Sequence, residues 1–194
     1  MALSPNLHKL WLTIRQSSKI IIKLIIIDQL SKWWFISYLP GKKNLIITVT
    51  SFFDIVYSWN FGISFGIMRQ YHQYSNILFM ILNSVIVAYL WYQMVRGKSV
   101  TGFVAYSFVI GGAIGNLMDR FIQGAVFDFL YFHYEEYGFP VFNLADSFIS
   151  IGVLLLIREY YKDKKIVEEE RIAEYDKEKI AAAAESIIKK NQGE

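Results

Sequence analysis

The sequence has no cysteine, which excludes thiol catalysis, disulfide bonds and cysteine-ligated metal sites. Histidine is scarce: His8, His72 and His133 show no metal-ligand spacing and read as surface residues, His133 in a loop. Basic residues are dispersed and the formal net charge is only +3, so the clustered basic face of a nucleic-acid binder is missing. There is no internal repeat. Acidic residues are nearly absent from the first 157 positions, which hold Asp28, Asp54, Asp119, Asp128, Glu135, Glu136 and Asp146. Nothing calls for a cofactor, a metal or a nucleic-acid partner.

What the chain does have is apolar surface. Of its 194 residues 54% are hydrophobic and 17% aromatic, with a mean hydropathy of +0.30, well above an average soluble domain. Charge is crowded into the last fifth: positions 158–194 carry 9 basic and 10 acidic residues. This divides the chain into a leader (1–19), a lipophilic core (20–157) and a charged tail (158–194). Within the core, stretches at about 20–39, 74–95, 100–117 and 142–157 are long enough to cross a hydrocarbon layer of about 30 Å. The first follows Lys9, Arg15 and Lys19 as a secretory signal would, but it carries Lys23, Asp28 and Lys32 and lacks a small-residue cleavage site, so it reads as a retained span.

Short cytoplasmic segments accumulate Lys and Arg. Lys9, Arg15 and Lys19 precede the first span, Arg96 and Lys98 separate the second and third, and Lys162, Lys164 and Lys165 follow the fourth. Both termini are therefore expected in the cytoplasm. The opposite side receives the connections at about 40–73 and 118–141, with Lys42, Lys43, Arg69 and Arg120 as their basic residues. In the first connection, Leu45-Ile-Ile-Thr-Val-Thr-Ser-Phe-Phe-Asp-Ile-Val-Tyr is rich in β-branched and aromatic residues, which predicts a small sheet. The expected class is thus an all-α membrane protein of four transmembrane helices, with a small extracytoplasmic β element and a charged, helical cytoplasmic tail. In that tail Ile166, Ala173, Ile180 and Ile187 recur every seven residues, but the interleaved Glu169, Asp176 and Ala183 provide no heptad seam, so it reads as a solvated helix.

Ionisable groups at membrane depth are costly to desolvate and are functional candidates. Asp128 lies beyond the third span and Asp146 near the start of the fourth, 18 residues apart. If both ends open on one side the carboxyls can meet, share one proton and act as base and acid toward a water. The alternative is that each caps a helix or pairs with Arg120 or Lys32. Ser31 and Lys32 are adjacent, hence about 100° apart on a helix, which disfavours a Ser-Lys peptidase. A proton or ion relay would string its carboxyls across the bilayer, whereas a protease clusters them at one face.

Four blocks of sequence resemble lipoprotein signal peptidase, the signal peptidase II family. They are Asp28-Gln-Leu-Ser-Lys32, Trp59-Asn-Phe-Gly-Ile-Ser-Phe-Gly66, Gly111-Gly-Ala-Ile-Gly-Asn-Leu-Met-Asp-Arg120 continued by Gly124-Ala-Val-Phe-Asp-Phe129, and Phe139-Pro-Val-Phe-Asn-Leu-Ala-Asp-Ser147. They stand in the family's order and spacing, and the resemblance ends near Tyr161. It implies an aspartic endopeptidase of the bacterial cytoplasmic (inner) membrane, with Asp128 and Asp146 as the catalytic pair near the extracytoplasmic face. The implied substrate is a prolipoprotein cut before a diacylglyceryl-modified cysteine, in contact with membrane lipid, and the implied inhibitor is globomycin. Where the family has Gly-Ala-Ala-Phe, this chain has Gly62-Ile-Ser-Phe65, with a bulkier Ile63 and a more polar Ser64.

Supporting roles are expected for seven further residues. Asn60, Asn116 and Asn143 offer amides that suit a substrate backbone or a carboxylate, or else an ordinary interhelical hydrogen bond. Arg120 is expected to hold Asp119 or a substrate carbonyl, or to anchor in the headgroups. Asp28 and Lys32, four apart, are expected to neutralise each other on one helix face. Gly111, Gly112, Gly115 and Gly124 are expected to permit close packing.

Overall fold

The computed structural model describes residues 5–41, 45–62, 72–97 and 99–192, with residues 5–10, 72–73 and 181–192 described by backbone alone. Lys42, Lys43, Ile63, Ser64, Arg69 and Lys98 lie outside the described residues. The elements run α1 (Pro5–Tyr38), β1 (Ile46–Thr50), β2 (Phe53–Asn60), α2 (His72–Arg96), α3 (Val100–Gln123), β3 (Val126–Tyr134), β4 (Tyr137–Gly138) and α4 (Leu144–Gln192), with a 3-10 turn at Leu39–Gly41. Contacts divide the chain into two compact units, Met1–Leu155 and Leu156–Glu194.

Among the described residues two helices are long and apolar enough to cross a membrane, Tyr74–Arg96 on α2 and Val100–Gln123 on α3. Leu78, Ile81, Val85 and Tyr89 of α2 are exposed, an apolar surface that a water-soluble monomer rarely leaves uncovered. Half of α3 is buried, because α3 packs between α1 and α2. There Ile21, Met94 and Ile110 form a core with Ile25, Leu90, Phe103 and Tyr106 around it. Ser99 caps α3 by accepting a hydrogen bond from the Gly102 amide at 3.0 Å. Gly124 ends it at φ 76° with its N–H on the Arg120 carbonyl at 3.1 Å, a left-handed turn that favours glycine. A Cβ on Gly124 would meet nothing within 4 Å, so backbone conformation and not close packing is its role.

Close approach does govern three other glycines. A Cβ at Gly111 would stand 3.1 Å from the Leu24 side chain, one at Gly115 2.6 Å from Asp28 Oδ2, and one at Gly112 would strike the Ala145 carbonyl. The first two fix α3 against α1, and the third seats the first turn of α4 on α3.

The sheet is larger than the strand-rich stretch 45–57 suggests. Its four strands run in the order β1-β2-β3-β4, all pairs antiparallel. Phe127 and Phe129 point to one face of β3 and pack with Leu39, Phe35, Tyr57 and Trp59, while alternation turns Asp128 to the other face. His133 sits on β3, not in a loop, with Nε2 3.2 Å from Asp54 Oδ2. Phe142 then pairs with Leu130 in an isolated bridge, its N–H on the Leu130 carbonyl at 3.0 Å. This bridge brings the chain entering α4 alongside β3, so Asn143 arrives beside Asp128.

In the second unit Arg171 pairs with Glu168 at 2.8 Å and Lys165 with Glu169 at 3.6 Å, and the Lys179 ammonium lies 5.1 Å from the Tyr175 ring centroid. These pairs are exposed and contribute little to stability.

Candidate active site

Asp146 occupies the first turn of α4 and exchanges hydrogen bonds with the residue before the helix. The Asp146 N–H donates to Asn143 Oδ1 at 3.0 Å, and the Asn143 N–H donates to Asp146 Oδ2 at 3.2 Å. Such a reciprocal cap fixes both side chains. Asn143, fully buried, spends its amide hydrogens on Asp128 Oδ1 at 2.6 Å and Asn116 Oδ1 at 3.1 Å. Asn116 in turn donates to Asp146 Oδ1 at 2.8 Å. Two asparagines thus tie the two carboxylates into one network.

Asp128 is 2% exposed. Its Oδ2 accepts from Asn60 Nδ2 at 2.9 Å, and Asn60 is itself oriented by the Gly62 N–H on its Oδ1 at 2.8 Å. Asn60 pairs with Val126 across β2 and β3, which places it diagonally from Asp128 on the same face. Burial, and then the charge of Asp146, push the Asp128 carboxyl from 3.8 up to about 6, against the donors Asn60 and Asn143 and the more distant Lys32. A carboxyl so placed holds its proton to a higher pH than a free one does, which suits it to deliver a proton.

Asp28, Lys32 and Asp119 form a second buried group, joined to this network through Asn116. Lys32 Nζ lies 2.9 Å from Asp28 Oδ2, 2.8 Å from Asp119 Oδ2 and 3.0 Å from Asn116 Oδ1. Asp28 also accepts the Ala145 N–H at 3.0 Å, and Asp119 accepts the Phe127 N–H at 3.2 Å. The cluster therefore holds the first turn of α4 and the first strand residues before Asp128. Lys32, not Arg120, pairs with Asp119. The Arg120 guanidinium is buried and lies 4.8 Å from the Phe79 ring centroid, with Nε and Nη1 unpartnered among the described residues. A headgroup anchor would be exposed, so that reading is corrected.

Gln29 escaped sequence reasoning. Its Nε2 reaches Asp119 Oδ1 at 2.9 Å, Asp28 Oδ2 at 3.1 Å and the Gly115 carbonyl at 3.2 Å. The signal was present in its place between Asp28 and Lys32. Ser31 is spent locally, its hydroxyl on the Asp28 carbonyl at 2.7 Å. A cavity of about 180 Å3 on the Lys32 side is lined by Gln29, Trp33, Trp59, Asp119 and Phe127, but neither aspartate of the Asp128–Asp146 pair reaches it.

Residues 20–162 match the family model for signal peptidase (SPase) II. That stretch contains every residue of the networks above. The chain belongs to the signal peptidase II family. It is an aspartic peptidase by that membership, and lipoprotein processing is the family's work. The lipoprotein signal peptidase of Rickettsia conorii is 59% identical over 97% of this chain and 94% of its own length. Two solved bacterial membrane enzymes share the fold. One, determined by the in meso method at 2.3 Å, is 32% identical with a TM-score of 0.66, covering 78% of this chain and 90% of its own. The other, at 1.9 Å, is 31% identical with a TM-score of 0.68, covering 77% and 95%.

Proposed function

We propose that this chain hydrolyses the peptide bond before a diacylglyceryl-modified cysteine of prolipoproteins, with Asp128 and Asp146 as the catalytic pair. The observation that carries this reading is the Asn116–Asn143 network, which joins these two carboxyls while Asp28 and Asp119 are consumed by Lys32. The ionised partner takes a proton from water, whose oxygen attacks the scissile carbonyl. The protonated partner donates to the carbonyl oxygen. Collapse of the tetrahedral intermediate releases the signal peptide as a carboxylic acid and the cysteine as a new amine, which takes up the transferred proton. Arg120 is suited to a substrate carbonyl, since two of its buried nitrogens have no hydrogen-bond partner among the described residues. Asn60 holds Asp128. All four aspartates lie in one cluster of side chains, which favours hydrolysis over a relay strung across the bilayer.

Four spans, at about 20–39, 74–95, 100–117 and 142–157, complete the proposal, with the leader 1–19 and the tail 158–194 in the cytoplasm of a bacterium and the site at the outer face of its inner membrane. The buried charges of α1 are compatible with a span because Lys32 and Asp28 neutralise each other at 2.9 Å. A reporter fused after Glu194 or between Arg96 and Ser99 is expected to register cytoplasm, and one near Lys42 the opposite side. Termini on opposite sides would remove the four-span arrangement.

The function is tested by incubating the purified protein with a diacylglyceryl-modified precursor peptide and its unlipidated counterpart. Cleavage before the cysteine of the first alone, blocked by globomycin, is the expected result. Full activity at saturating globomycin would mean that Ile63 and Ser64 reshape the cleft.

A further inference from the structure

The three asparagines around the pair are each oriented by a neighbour that can only donate. Lys32 Nζ on Asn116 Oδ1, the Gly62 N–H on Asn60 Oδ1 and the Asp146 N–H on Asn143 Oδ1 force each amide to turn its NH2 group the other way. The NH2 groups then face Asp146, from Asn116, and Asp128, from Asn60 and Asn143. Lys32 thus reaches the reacting acids without touching either. It holds the Asn116 oxygen, and Asn116 holds Asp146.

The surroundings of the two carboxyls differ. Asp146 is half-buried, sits in the first turn of α4 and accepts the Asn143 N–H as well as Asn116, and the positive end of a helix favours the anion. Asp128 is on a strand, almost wholly buried, and receives side-chain amides only. The charged groups that bear on it are Asp146 from α4, Lys32 from α1 and Arg120 from α3, with Asp119 beside the last two.

We infer that in the singly protonated, substrate-free pair Asp146 is the ionised base and Asp128 the protonated acid, and that Lys32 and Asn116 are positioning residues that set this division. The inference rests on the Asp128–Asp146 reading above and assigns the two roles within it. The elevation of the Asp128 carboxyl to about 6 agrees with the placement, since the pair titrates as a unit whose remaining proton resides on the harder site to ionise.

The test is the pH profile of kcat/KM on the lipidated peptide, which reports the free enzyme. Its acidic limb marks formation of the Asp146 carboxylate and its alkaline limb loss of the Asp128 proton. Asn116→Ala removes a donor from the base, so the acidic limb is expected to move up by about one pH unit, a roughly tenfold fall in kcat/KM below it. The alkaline limb should stay in place. Asn60→Ala removes a donor from the acid, so the alkaline limb is expected to move up while the acidic limb stays. Asn116→Ser is the second variant, for use if the alanine protein does not fold in detergent by its melting profile. The opposite pattern, or two unmoved limbs, overturns the assignment. Cleavage by Asp128→Asn or Asp146→Asn would instead overturn the pair itself, so the two failures are distinguishable.

Discussion

Replacing either Asp128 or Asp146 by Asn is expected to lower turnover of the lipidated peptide by at least roughly 100- to 10,000-fold, the range associated with one acid-base group. The amide has nearly the shape of the acid but cannot take up or deliver the proton. Asp119→Asn is the control, because Asp119 serves Lys32, Gln29 and the Phe127 N–H and does not join the Asn116–Asn143 network. It should retain measurable cleavage. Folding is separable from chemistry by a sign argument. The Asp128 carboxyl is raised from 3.8 to about 6, so the folded state binds this proton more tightly than the unfolded chain does. Its contribution to stability therefore declines as pH rises through that window and is lost above it. Asp128→Asn never ionises, and above pH 6 it should escape a cost of up to about 3 kcal/mol. The NH2 groups of Asn60 and Asn143, which face this side chain, offset part of that gain. The expected protein is at least as stable as the wild type in detergent at neutral pH and inert. Substantial cleavage by either mutant would sink the two-carboxylate mechanism.

The proposed pair, Asp128 and Asp146, was singled out by the resemblance of short motif blocks, and the Asp28–Lys32 contact was legible from helical periodicity, since both are properties of short stretches. The first two strands were legible for the same reason. β3 was not, because Val126, Phe127, Asp128 and Phe129 are buried on both faces. A strand covered on both sides shows no apolar-polar alternation, and this one follows α3 after a two-residue turn, so it reads as a connection between spans. Two contacts that organise the site were equally hidden. Lys32 meets Asn116 across 84 positions and Asp28 meets the Ala145 N–H across 117, and only the packing of α1 on α3 through Gly111 and Gly115 brings them together. The reading of Arg120 against Asp119 failed for a related reason. Neighbours in sequence on a helix point apart, and the cation that reaches Asp119 comes from another helix.

That cation carries the second large effect. Lys32 is 2% exposed and serves two carboxylates whose side chains are 0% and 7% exposed. A buried ion pair adds little over an apolar core of equal volume, but removing one partner strands the other. Lys32→Met would leave Asp28 and Asp119 both without a cation, and the expected loss is about 3–5 kcal/mol, a fall in melting temperature of at least about 6 °C for a chain of this size. Lys32→Arg should not restore it fully, because one ammonium nitrogen meets Asp28, Asp119 and Asn116 at 2.8–3.0 Å, a three-way contact at a single point that a longer planar fork does not reproduce. Lys32→Met combined with Asp119→Asn should recover part of the loss, since one stranded charge is gone while the Asn oxygen can still accept the Phe127 N–H. The double-mutant cycle isolates this coupling. A Lys32→Met protein that melts with the wild type, or a cycle with no coupling, would show that the cluster does not hold α1, α3 and the start of α4 together. Asp28 would then need another source of compensation for its place beneath the Ala145 N–H.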